Sequence, residues 1–254
     1  MKRIKKTKII ATLGPASSSA ESIMSLIKEG VDVLRINFSH SSHKEAEKMI
    51  REIREVNDLL STNTAILADL QGPKLRIGQV SSNTELKDGD NIFIKTGNEF
   101  RGDNKTLYLN YNNLYKDIKK GEKILIDDGK IILKVIDIDK KNQIIAEVIQ
   151  GGMLSSNKGF NLPNTNISQP ALTEKDIEDA IFSSKQNVDW IALSFVRNGS
   201  DIESLIKLLD KNTSHRIPVI AKIEKPEGVR NIDEIMKYAS GIMVARGDLG
   251  VEIN

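Results

Sequence analysis

Two charged triplets, Lys222-Ile223-Glu224 and Arg246-Gly247-Asp248, each end an apolar run of strand length. The runs are Val219-Ile220-Ala221 and Gly241-Ile242-Met243-Val244-Ala245. Continuous apolar runs suit strands buried on both faces, as in parallel sheets covered by helices. In barrels of that class, side chains at the carboxyl ends of the strands point into the active site. Glu224 and Asp248 would then share one rim, where two carboxylates can hold a divalent cation. Lys222 would face whatever anion the cation binds, and Gly247 would give backbone access beside Asp248. The chemistry implied is that of a phosphate or an enolate. Either triplet alone reads as ordinary surface charge; both at the ends of neighbouring strands make a site.

Earlier strand ends supply more candidates. The first ends in Thr12-Leu13-Gly14-Pro15-Ala16-Ser17, and the second in Leu34-Arg35-Ile36-Asn37-Phe38-Ser39-His40. The third runs into Ala68-Asp69-Leu70-Gln71-Gly72-Pro73-Lys74-Leu75-Arg76. Arg35 and Arg76 offer planar donors for phosphate oxygens. Asn37, Ser39 and Asp69 offer hard oxygen ligands for a cation. His40 on its own reads as a turn or surface residue.

These residues need a scaffold, and the sequence outlines one. Strands are expected at Lys8–Leu13, Asp32–Asn37 and Thr64–Leu70, with helices at Ala20–Glu29 and His43–Leu60 between them. The rhythm breaks at Gln71-Gly72-Pro73 and resumes near Pro170. There Thr173-Glu174-Lys175-Asp176 opens a helix with a capping-box start in which Asp replaces the usual Glu or Gln. Strands at Asp189–Leu193, Pro218–Lys222 and Gly241–Val244 follow, separated by helices near Asp201–Asp210 and Val229–Tyr238. Repeated β-α units imply a parallel sheet.

The interruption has a different grammar. Short β-rich runs at Asn91–Lys95, Lys123–Ile126, Ile131–Ile138 and Gln143–Ile149 are divided by Lys87-Asp88-Gly89-Asp90, Asp127-Asp128-Gly129-Lys130 and Asp139-Lys140-Lys141-Asn142. Asp-Gly between strand-like runs is a strong hairpin signal. The expected organisation is therefore a barrel domain over residues 1–72 and 170–254, with a small β-barrel domain over residues 73–169. Set in a βα loop, that insertion is placed to close over the site as a lid. Without it about 157 residues and six strands remain, against the roughly 200 to 250 residues that eight units take. The barrel is expected to be incomplete in this chain.

Composition narrows the function classes. The 254 residues are 39% apolar and 28% charged, with no cysteine and a net charge of +2. Disulfide frameworks and cysteine chemistry are excluded, which fits a reducing cytoplasm. The near-neutral charge argues against a nucleic-acid partner. No 18-residue apolar run indicates a membrane span. The basic stretch Met1–Lys8 reads as a solvated tail and lacks the apolar core of a signal peptide.

Together these strings closely resemble the pyruvate kinase family, from about Lys8 to Ile253 and in the family's order. Asn157-Lys158-Gly159-Phe160-Asn161-Leu162-Pro163 resembles the family's exit from its lid domain. The resemblance implies an α/β fold, a (β/α)8 TIM barrel interrupted by the lid, and phosphoryl transfer from phosphoenolpyruvate to ADP in glycolysis. Glu224 and Asp248 would hold Mg²⁺ or Mn²⁺, and Lys222 would stabilise transition-state charge. Arg35 and Arg76 would grip phosphoryl groups, and Lys158 would reach ATP from the lid. Pro15, Asn37, Phe38, Ser39 and His40 lie where the family contacts nucleotide, and the backbone at Gly247 would approach the substrate carboxylate. A cytoplasmic homotetramer is implied for the full-length protein. A threonine beyond strand six and a regulatory domain, both expected of the family, are not in this chain.

One segment departs from the common pattern. Many family members have Asp-Thr-Lys-Gly-Pro-Glu-Ile-Arg-Thr where this chain has Asp69-Leu70-Gln71-Gly72-Pro73-Lys74-Leu75-Arg76-Ile77. Leu70 removes a hydroxyl from the Asn37, Ser39 and Asp69 site that would take K⁺. Lys74 would set an ammonium near the same oxygens. The pattern resembles the K⁺-independent branch, with Lys74 replacing the ion. A metal-dependent aldolase or mutase acting on enolpyruvate, and an inactive truncated fragment, are the competing expectations.

Overall fold

The computed structural model describes residues 6–139 and 143–253. Met1–Lys5 of the basic stretch, Lys140, Lys141 and Asn142 of the third turn signal, and Asn254 lie outside the described residues. Elements run in chain order as follows. The chain starts with β1 (Ile10–Thr12), α1 (Ala20–Lys28), β2 (Val33–Asn37), α2 (His43–Leu60) and β3 (Ala65–Asp69). Next come β4 (Glu85–Leu86), β5 (Asn91–Lys95), β6 (Thr106–Tyr108), α3 (Leu114–Asp117) and β7 (Lys123–Ile126). Then follow β8 (Ile131–Ile138), β9 (Ile144–Gln150), β10 (Gly152–Met153) and β11 (Phe160–Asn161). After these are α4 (Glu174–Lys185), β12 (Trp190–Leu193), α5 (Gly199–Asn212) and β13 (Val219–Ile223). The last are α6 (Pro226–Arg230), α7 (Ile232–Ile235), β14 (Gly241–Val244) and α8 (Arg246–Glu252). None of the helices among the described residues is long and apolar enough to cross a membrane.

Two compact units emerge. The first takes the residues through Gly72 with Ala171–Ile223 and Glu227–Val244; the second takes Pro73–Pro170, Glu224–Pro226 and the residues from Ala245.

In the first unit six strands pair in parallel in the order β1-β2-β3-β12-β13-β14, each beside its neighbour along that part of the chain. Asn37 stands opposite Asp69, Ala192 opposite both Asp69 and Ile220, and Lys222 opposite Met243. That sequential parallel order, with a helical crossover between strands, is the order of a TIM barrel, and six of its eight strands are present. Central strands are sealed: Ile66, Leu67, Ala68 and Ala221 are fully buried. The expectation that Gly241–Val244 is buried on both faces is corrected. β14 pairs on one side only, and Val244 is 60% exposed.

Local chemistry explains the helices. α2 buries Ala46, Met49, Ile50, Ile53 and Val56, the spacing of one apolar stripe. Ser42 and Glu45 close a reciprocal capping box at its start. Thr173 and Asp176 do the same for α4, so a shorter acid serves at that position. Asp176 is buried, and its other oxygen accepts the Gly72 N–H at 2.9 Å. The single helix expected over Val229–Tyr238 is instead two short ones, α6 and α7, meeting at Asn231.

The second unit centres on a sheet of order β11-β7-β8-β9-β5-β6, antiparallel except where β5 meets β6. Its core is aliphatic, with Ile92, Ile94, Leu107, Leu109, Ile124 and Leu133 fully buried. The β7–β8 hairpin turns through Asp127, Asp128 and Gly129 at φ of 53°, 58° and 85°. These are left-handed values that Asp tolerates and Gly adopts freely. β4 and β10 form a separate antiparallel pair.

Candidate functional site

In the first unit, the carboxyl ends of β2, β3, β12 and β13 build one ionic cluster around Asp69. This residue closes β3 and is fully buried. Arg35, from β2, donates its Nε to Asp69 Oδ2 at 2.6 Å and its Nη1 to Thr12 Oγ1 at 2.8 Å. A second guanidinium nitrogen also pairs with Asp69. Lys222, from β13, places Nζ 3.0 Å from Asp69 Oδ1. Its ammonium donates to Ser194 Oγ at 2.7 Å, and Ser194 Oγ donates to the Leu70 carbonyl at 2.6 Å. One buried carboxylate thus anchors two cations, and a hydroxyl fixes the direction of one of them. Removing a member of such a buried pair costs about 3–5 kcal/mol, because it strands a charge away from water.

Ser194 is not among the sequence candidates, and Thr12 enters them only as the start of the first strand ending. Ser194 follows Ile191-Ala192-Leu193, the same apolar-to-polar ending that marked Lys222, and that signal was available. Tight packing holds Ser194. A Cβ on Gly72, which lies at φ +69°, would come 2.8 Å from both Ser194 Cβ and Phe195 Cδ2. Phe195 itself sits at φ +55°, a conformation that costs a bulky residue about 1–3 kcal/mol.

The second-strand loop is more mixed. Asn37 Oδ1 accepts the Ser39 N–H at 3.0 Å, a local turn. The Phe38 ring is 1% exposed and packs edge-on against Phe182 and His43. A ring so enclosed cannot stack on a nucleotide base, so only the Phe38 backbone is left for that role. Pro15 and His40 are exposed.

In the second unit, Glu224 is the residue after β13 and is 2% exposed. Asp248 lies in the first turn of α8 rather than at a strand end, and this corrects the sequence placement. Its Oδ1 is 3.0 Å from Lys74 Nζ, with both side chains a little over a quarter exposed. Lys74 was expected beside the oxygens of Asn37, Ser39 and Asp69. Within its own unit it meets Asp248, and within the first unit Asp69 is held by Arg35 and Lys222. A Cβ on Gly247 would meet nothing within 4 Å, so packing in the unit leaves that backbone accessible.

Arg76 donates Nη1 to the Asn157 carbonyl at 3.1 Å. Lys158 Nζ lies 2.9 Å from Asp127 Oδ1. The Lys158 hydrogen bond, reinforced by one from Lys130, holds the Asp127 carboxyl below its ordinary range. A buried trio that the sequence reading did not single out is also present: Lys225 Nζ and Asn161 Nδ2 both donate to Glu252 Oε1, at 2.7 and 2.8 Å. Among the described residues no three His, Cys, Asp or Glu side chains gather into a metal cage.

Comparison with known proteins follows the same outline. A sequence model described as the barrel domain of pyruvate kinase matches residues 4–254. The chain is 45% identical over 250 residues to pyruvate kinase from Corynebacterium glutamicum, covering 98% of this chain and 52% of that protein. It is 44% identical over 255 residues to the Geobacillus stearothermophilus enzyme, covering 100% and 43%. For Clostridium perfringens pyruvate kinase the identity is 43% over 251 residues, covering 98% and 53%. The chain spans about half the length of the curated relatives it matches. With the match running through the parallel strands and the inserted β unit alike, the chain belongs to the pyruvate kinase family.

Proposed function

We propose that the protein carrying this chain transfers the phosphoryl group of phosphoenolpyruvate to ADP, giving pyruvate and ATP in glycolysis. The observation that carries this reading is the Lys222 ammonium, buried at the carboxyl end of β13 and held by Asp69 and Ser194. Phosphoryl transfer asks for positioning and electrostatic stabilisation more than covalent chemistry. A fixed cation about 4 Å from the developing enolate charge contributes about 4 kcal/mol at an effective dielectric of 20. That corresponds to about a thousandfold in rate. Arg35, a quarter exposed and braced by Asp69, would grip the phosphoryl oxygens.

The carboxylates of Glu224 and Asp248 fit a divalent ion in donor chemistry. Mg²⁺ binds through one or two carboxylates together with substrate phosphates, without needing an all-protein cage. When bound, Mg²⁺ or Mn²⁺ would neutralise charge on the transferring group. Lys74 supplies Asp248 with a counter-charge of the chain's own. Pro15, Asn37, Ser39, His40, Arg76, Lys158 and the Phe38 backbone would meet ADP and ATP, and the Gly247 backbone the substrate carboxylate.

K⁺ is not required in this reading. The Asp69 charge is shared by two cations, Asn37 Oδ1 is engaged, and Leu70 has no hydroxyl. Cytoplasmic location and a homotetramer rest on family membership.

The test is Lys222→Met in the whole protein. We expect kcat to fall about a thousandfold with Mn²⁺ affinity nearly intact. A preserved kcat with a raised KM would refute the role.

A further inference from the structure

We infer that the buried Lys225–Glu252 ion pair is a positioning device that fixes the separation of the two candidate metal ligands, Glu224 and Asp248. The inference rests on the proposed assignment of those two carboxylates as metal ligands. Lys225 directly follows Glu224, and Glu252 lies four residues after Asp248, on the same face of α8. The Lys225 Nζ–Glu252 Oε1 bond of 2.7 Å therefore links one carboxylate to the other through two short stretches of backbone. Lys225 is 6% exposed and Glu252 1%. Asn161 Nδ2 donates to the same oxygen from β11, while Glu252 Oε2 is buried and meets no donor among the described residues.

α8 needs such an anchor. It is seven residues long, contains Gly247 and Gly250, and has no side-chain cap at Ala245. A helix of that length and composition does not hold its shape in isolation. At its first turn the Lys74–Asp248 pair, still reached by solvent on both sides, contributes less rigidity than a fully buried one. At its last turn the buried pair supplies the fixed point.

A simpler role for Lys225, as a positive charge beside Glu224, makes the opposite prediction. Deleting a cation next to a metal site strengthens metal binding, whereas deleting a positioning group weakens it, as for other groups that orient ligands without touching the metal. The experiment measures Mn²⁺ binding alone, by electron paramagnetic resonance of the free ion, on the whole protein without substrates. Lys225→Met is expected to weaken Mn²⁺ binding about 10- to 100-fold.

Because that variant strands the Glu252 charge and can fail to fold, Lys225→Met/Glu252→Leu is measured beside it. This double variant removes the pair with no change in net charge and no stranded charge, and leaves only the neutral Asn161 amide without its acceptor. It is expected to stay folded, losing no more than an unpaired neutral amide costs, while still binding Mn²⁺ about tenfold more weakly. Parent-like or tighter binding in the double variant overturns the inference, as does tighter binding in folded Lys225→Met. Asp248→Asn separates the two levels. If it leaves Mn²⁺ binding unchanged, the ligand assignment itself falls; if it weakens binding while both Lys225 variants bind normally, only the positioning role falls.

Discussion

Asp69→Asn is the most informative single change in the first unit. It keeps the shape of the side chain and deletes the charge that Arg35 and Lys222 share. The substitution leaves two cations together at a fully buried position, with an amide that cannot neutralise either. Breaking a buried pair by removing one partner costs about 3–5 kcal/mol. For a chain of this size each kcal/mol lowers Tm by about 2–4 °C, so a fall of about 10 °C is expected. The assay is thermal unfolding followed by circular dichroism, at low and high salt. Burial shields this cluster from the Debye atmosphere, so the loss should be nearly the same in both. Glu55→Gln, which breaks the exposed Arg51–Glu55 pair, is the control and should change little. Lys222→Met added to Asp69→Asn should recover part of the loss, because it removes one of the stranded charges. A Tm within about 2 °C of the parent for Asp69→Asn would refute the view that this carboxylate carries both cations.

Other outcomes test the remaining parts. Asp248→Asn should weaken Mn²⁺ binding at least about tenfold, since it deletes one of two anionic ligands; an unchanged titration removes Asp248 from the metal. Replacing K⁺ by a large organic cation at constant ionic strength should leave kcat nearly unchanged, and strong K⁺ activation would contradict the proposed independence. Asp127 should titrate below its ordinary value in the parent and move upward in Lys158→Met, followed by carboxyl NMR. Its folded pKa is depressed, so its contribution to stability is present above the unfolded value of 3.8 and lost as pH falls through the folded one. No upward movement would mean that Lys158 is not the principal cause.

Legibility differed sharply between elements that carry their own pattern and contacts that do not. His43–Leu60, Asn91–Lys95, Ile131–Ile138 and Gly241–Val244 have the boundaries read from the sequence. A capped amphipathic stripe or a β-rich run between Asp-Gly turns is complete within its own window. β4, β10 and β11 are two residues each, too short to show a period. α8 was hidden because Gly247 and Gly250 lower helix propensity and the apolar run before them read as strand. Charged residues were found as individuals, and their partners were not. Lys74 meets Asp248 across 174 positions and Lys222 meets Asp69 across 153. Only the fold decides which opposite charge a long side chain reaches.

The way the second unit is assembled bears on the order in which the chain is made. Pro73–Pro170 can gather around its aliphatic core as soon as it leaves the ribosome, since its strands pair among themselves. Its Asn161 cannot be satisfied by Glu252 until 91 further residues have been synthesised. Lys225, made later, waits only 27 residues for the same partner. Until then each group must remain hydrated, so this corner of the unit stays open to solvent while those 91 residues are made and seals when α8 arrives. A stall shortly before residue 252 would release a nascent chain with an ordered aliphatic core and an unsealed corner, the kind of intermediate that chaperones recognise.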